Sequence, residues 1–160
     1  MIPVGLPLPP ANGKLRLSAL IAPEDVDERV PPVTLRDVRI EVPLPWQKTV
    51  EALLCLADQS GVEPRVFGSL LWQRLTGLPY LSASSDLDLL WPVTDANTAT
   101  HLAGCLATVE QDSPVRCDGE FPLPDGGGVQ WREWKDSPHE VLVKDLTGVR
   151  LCVTASLFSK

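Results

Sequence analysis

The sequence predicts an α+β protein, a mixed sheet with helices mainly on one face. Three observations predict it. Residues 65–93 read as strand, Gly-Ser turn, helix, polar loop and strand. An amphipathic helical stretch lies on each side of that unit. Everything beyond Ser113 alternates as β-structure does.

A chain of 160 residues has room for one good core. It is 44% hydrophobic and 22% charged, a globular composition. No apolar run nears the roughly 20 residues of a membrane span, and no basic-then-apolar leader opens the chain. A cytoplasmic location and no membrane partner are expected. The net charge of −7 and pI near 4.7 argue against a protein that coats a nucleic-acid polymer, which needs a basic surface. Cys55, Cys105, Cys117 and Cys152 form no C-x-x-C pair, and neither histidine stands at ligand spacing from them. Zinc is not expected, and the thiols should be reduced. Cys55 and Cys105 fall among apolar helix positions and read as buried small residues.

In chain order, residues 1–13 are rich in proline and glycine and read as an extended entry segment. Lys14 to Ile21 alternates, a strand pattern. Residues 23–32, acidic and flanked by proline, read as a loop. Val38, Ile40 and Val42 alternate with Arg39 and Glu41, giving a weak strand over 34–42. Residues 45–60 form a helix on the stripe Trp46, Val50, Leu53, Leu54 and Ala57, stopped by Gly61.

Arg65 to Phe67 form the next strand end. Gly68-Ser69 opens a helix through Leu75, which Gly77 and Pro79 stop. Asp86 to Trp91 continues as a strand. Thr94 or Asp95 caps another helix, whose apolar face is Ala99, Leu102, Ala103 and Leu106. His101 beside that face is read as a partly buried or surface histidine. Strands follow over 115–123, 129–134, 139–144 and 149–153. Asp125-Gly126-Gly127-Gly128 reads as a hairpin turn, because no Lys-Ser/Thr or helix follows it as in a phosphate loop.

The chemistry gathers in residues 68–88. A helix N-terminus presents free N–H groups and a positive dipole end to a phosphate. Gly68 permits close approach, and Ser69 adds a hydroxyl. Asp86 and Asp88, two strand steps or about 6.5–7 Å apart, point to one face while Leu87 and Leu89 point to the core. Aspartate is depleted in strands, so two in an apolar run imply a purpose. Oxygen ligands suit magnesium. Asp118 and Glu120 are again two apart, on the following strand. Either can supply a third carboxylate, to a second metal or as a proton acceptor, with Asp118 preferred. Arg65, Arg74 and Lys144 are candidate phosphate partners. Trp72 reads as core, as do Trp131 and Trp134.

Gly68-Ser69 followed by Ser85-Asp86-Leu87-Asp88 resembles the signature of the nucleotidyltransferase superfamily that includes DNA polymerase beta. The longer run GSLLWQRLTGLPYLSASSDLDLLWPV, with PVGLPLPP, DGEFPLPDGGGVQWREW and EVLVKDLTGVRL, resembles the malonate decarboxylase holo-acyl-carrier-protein synthases, or phosphoribosyl-dephospho-CoA transferases. The likeness spans essentially the whole chain. It implies a nucleotidyltransferase-like domain over 45–160, preceded over 1–44 by a small β-rich remnant of an N-terminal domain and linker that begins further upstream in that family.

The resemblance also implies the reaction. A triphosphoribosyl-dephospho-CoA donor would lie between Gly68-Ser69 and magnesium held by Asp86 and Asp88. A serine of the malonate decarboxylase acyl carrier protein would attack the α-phosphorus, and pyrophosphate would leave. An acidic carrier would need a local basic patch, for which Arg65, Arg74, Arg132, Lys135 and Lys144 are the candidates. The residues alone argue only for metal-assisted transfer from a phosphoanhydride. They leave open another nucleotidyltransferase, such as a protein adenylyltransferase or antitoxin-type domain, and a catalytically idle carrier-binding module.

Overall fold

A computed structural model describes residues 1–13, 15–136 and 139–158. Lys14, where the second strand is predicted to begin, lies outside them. Strands β1 (Ile2–Pro7) and β2 (Arg16–Ile21) pair antiparallel as a separate hairpin. The main body runs α1 (Gln47–Ser60), β3 (Arg65–Val66), α2 (Gly68–Thr76), β4 (Leu87–Leu90), α3 (Ala96–Gln111), β5 (Cys117–Pro122), β6 (Gly128–Gln130), α4 (Trp131–Asp136), β7 (Glu140–Asp145) and β8 (Gly148–Val153). Six strands form one sheet in sequence order, with β4 and β5 parallel and every other neighbouring pair antiparallel. The protein is therefore α+β with a mixed sheet.

Alternation decides the two faces of that sheet. Val66, Leu87, Leu89, Cys117, Phe121, Val129, Val141 and Val143 are buried and meet the apolar stripes of the helices. Val50, Leu53, Leu54 and Ala57 of α1 and Ala99, Leu102, Ala103 and Leu106 of α3 join them in one core. The opposite face carries Asp88, Asp118, Glu120, Gln130 and Lys144, none of them buried. Local signals set the helix ends. Gly61 takes a left-handed conformation and its N–H returns to the Ala57 carbonyl. The Asp95 carboxylate caps α3 by accepting from the Thr98 N–H at 2.9 Å.

Three local expectations are corrected. Residues 34–42 are not a strand. A single bridge joins Thr34 to Arg65, and the segment then turns, burying Leu35, Val38 and Val42. Those positions follow helical rather than alternating spacing. Residues 129–134 are not one strand either. The ladder ends at Gln130 and α4 begins at Trp131, because Trp131 and Trp134, three apart, both bury. Cys55 is exposed and Cys105 half-buried, while Cys117 is the buried thiol. All four cysteines are free. No helix among the described residues is long and apolar enough to cross a membrane.

Candidate active site

Strand β4 delivers Asp88 to the start of α2. The Phe67 N–H donates to the Asp88 carbonyl at 3.1 Å, which pins the turn to the strand. Gly68 then takes φ +62°, a conformation glycine adopts without strain. A side chain there would place Cβ 1.9 Å from Asp88 Oδ2. Only a glycine lets the backbone approach the carboxylate this closely. The Ser69 N–H is turned to the same carboxylate and favours its charged form. Asp88 therefore takes part of the helix N-terminus for itself.

In register beside Asp88 stands Asp118, on the parallel strand β5, about 4.8 Å away at the backbone. Leu90 pairs with Glu120 one step further along. Burial and the repulsion of Asp118, Asp86 and Glu120 push the Asp88 carboxyl up to about 6. Asp118 Oδ1 accepts from Gln130 Nε2 at 2.9 Å and from Arg132 Nη1 at 3.2 Å. Arg132 also holds both Glu110 oxygens, donates to the Cys117 carbonyl at 3.2 Å, and lies 4.3 Å over the Trp131 ring.

Like-charged carboxylates on neighbouring strands are a hard oxygen donor set. The residues fit a divalent ion such as magnesium. Among the described residues no group of three or more His, Cys, Asp or Glu side chains is gathered closely enough to hold a metal by itself.

In front of Asp88 opens a cleft of about 290 Å³. Gly68, Ser69 and Asp88 line it together with Trp72, Tyr80 and Arg16 of the hairpin. The Trp72 and Tyr80 rings stack with centroids 6.2 Å apart. The Tyr80 hydroxyl donates to the Pro7 carbonyl at 3.0 Å, which ties the hairpin over the site.

Residues 34–155 match the family described as the phosphoribosyl-dephospho-CoA transferase MdcG C-terminal domain. The chain belongs to the MdcG family. It is 41% identical to the phosphoribosyl-dephospho-CoA transferase of Xanthomonas campestris and 42% to that of Xanthomonas euvesicatoria, over 97% of this chain and 73% of those proteins. Its likeness to the Bradyrhizobium diazoefficiens transferase is 38% over 94% of this chain and 66% of that protein. No solved structure matches.

Within this MdcG-family chain the site brings together Gly68, Ser69, Asp88 and Asp118. Asp86 precedes β4 by one residue and acts on Asp88 through its charge. Glu120 shares the face of Asp118 but leans over Gly128, whose added Cβ would lie 3.0 Å from Glu120 Oε2. Arg65 is exposed on β3, and Lys144 is exposed on β7 opposite Gly128. Neither lines the cleft. Lys144 does not reach inward, because its neighbours Val141 and Val143 take the core face. Arg74 is bound to Glu41 at 2.7 Å. Trp72 is a cleft wall and only half-buried rather than core. Sequence reasoning missed Arg16 and Tyr80. An arginine in an alternating strand carries no local signal of a site more than 50 residues away, and a tyrosine in a loop, though near the site in sequence, has no pattern that aims it there.

Proposed function

We propose that the chain transfers a phosphoribosyl-dephospho-CoA group from its triphosphate precursor to a serine of the malonate decarboxylase acyl carrier protein, with loss of pyrophosphate. Family membership makes the chain a transferase. The observation that carries the finer reading is the apposition of Asp88 and Gly68, with Asp118 in register beside them. It supports a nucleotidyltransferase-like site in which phosphate and carboxylate meet at a helix N-terminus.

In this reading the donor's triphosphate lies in the cleft. Asp88 would hold magnesium, the second oxygen of Asp118 is left to take a proton, and Asp86 and Glu120 add negative charge nearby. A bound magnesium ion supplies charge neutralisation at the phosphates. Gly68 lets Asp88 stand against the start of α2, and the Ser69 hydroxyl donates to the departing pyrophosphate. The acceptor serine oxygen forms a bond to the α-phosphorus. The α–β phosphoanhydride bond breaks, and its electron pair leaves with pyrophosphate. The hydroxyl proton passes to Asp118.

The test incubates the protein with magnesium, the triphosphoribosyl-dephospho-CoA donor and the apo carrier, and follows the carrier by intact mass. A gain of the prosthetic group, absent with Asp88→Asn, is expected. Transfer of AMP from ATP instead would move the chain to another nucleotidyltransferase activity. Donor binding without any transfer would make it a binding module.

A further inference from the structure

The N-terminal hairpin lies outside the matched family domain, which starts at residue 34. Yet the alignments with the Xanthomonas proteins cover 97% of the chain and so take it in. In the structure it is not a free appendage. Tyr80 is buried and holds Pro7 by a hydrogen bond. The strand register sets Arg16 opposite Pro7. This brings Arg16 to the cleft that Ser69 and Asp88 also line. Among the described residues no carboxylate pairs with Arg16, nor with Arg29, Arg39, Arg65 or Arg116, but of these five Arg16 is the one that lines the cleft. Trp72, half-buried against Tyr80, presents an indole on the same cleft.

We infer that the hairpin and the aromatic pair form the donor-binding wall, with Arg16 on the donor's phosphates and Trp72 stacked on its purine. The inference rests on the reading of this cleft as the donor site. A cation, a hydroxyl and a flat aromatic surface around one opening match a ligand that is polyanionic at one end and a nucleobase at the other. An arginine fork suits phosphate oxygens, and an indole gives any base a stacking face. Asp88 cannot do this work, since its charge repels phosphate unless a cation intervenes.

The test is calorimetric titration of the full chain, in magnesium buffer, with two partial ligands. Dephospho-CoA carries the base; inorganic tripolyphosphate carries only the polyanion. Trp72→Leu should weaken dephospho-CoA about tenfold and leave tripolyphosphate within about twofold. Arg16→Ala should weaken tripolyphosphate about tenfold, and Arg16→Lys should recover part of that loss. Equal affinity of wild type and both variants for both ligands overturns the inference while leaving the cleft as donor site. Failure of the wild type to bind either ligand overturns the reading of the cleft, and the inference with it. Should Trp72→Leu not fold, Arg16→Ala decides alone, because Arg16 is exposed on the hairpin.

Discussion

Gly68 is the residue on which the site closes. Its φ of +62° and the 1.9 Å that an added Cβ would leave to Asp88 Oδ2 make a methyl group there intolerable without moving the carboxylate. A displacement of about 1 Å near reacting groups costs on the order of 10²-fold in rate. Gly68→Ala should lower kcat/KM for carrier modification by about that factor. A folded variant with full activity would remove Gly68 from the site. Asp88 gives a prediction of opposite sign for stability. Its carboxyl is raised from 3.8 to about 6, so between those values the folded state holds more proton than the unfolded one. The stability of the cation-free protein therefore falls as pH rises through that window, and the deficit is full above it. Asp88→Asn should raise the Tm of the cation-free protein at about pH 8, and the gain should vanish below about pH 4. A Tm lower than wild type at pH 8 would contradict the repulsion assigned to Asp118 and Asp86.

At the scale of elements, two ties position the site. Arg132 on α4 joins the end of α3, through Glu110, to β5, through Asp118 and the Cys117 carbonyl. It is about three-quarters buried (24% side-chain exposure). Arg132→Ala leaves two carboxylates without their cation and should cost about 1.5–3 kcal/mol in a denaturant titration. A change within 0.5 kcal/mol, about the scatter of neutral surface substitutions, would show the contacts to be incidental. The second tie is Tyr80 to Pro7. Tyr80→Phe keeps the ring against Trp72 and removes only the bond to the hairpin, about 1 kcal/mol. Amide exchange should speed up in β1 and β2 and stay unchanged in β4 and β5. Uniform exchange across the hairpin in both proteins would mean that its own strand pairing, not Tyr80, holds it in place.

For the whole molecule, the proposed magnesium site on the face of β4 and β5 predicts a response of stability to divalent cations. If an ion bridges Asp88 and Asp118, which lie in register on neighbouring strands, it would stabilise the fold. At a magnesium concentration 100-fold above its dissociation constant the gain is about 2.7 kcal/mol. Thermal unfolding should show a magnesium-dependent rise in Tm for the wild type and none for Asp88→Asn. An equal rise in both would assign the effect to general screening.

The α+β class, the amphipathic faces of α1 and α3, and the pairing of Gly68-Ser69 with Asp88 were legible in the residues alone. Those features rest on local periodicity and on glycine and aspartate standing where neither belongs without a reason. The family resemblance was equally legible, in the long run from Gly68 to Val93. Tertiary structure alone decided the rest. Whether Val38 and Val42 alternate or turn depends on what Leu35 packs against, and the helix at Trp131 depends on two tryptophans sharing one core. Parallel pairing of β4 with β5 put Asp118, 30 positions along the chain, beside Asp88. The hairpin brought Arg16 to the cleft that Ser69 lines. Contacts of such separation are chosen by packing and loop closure, which no local pattern encodes.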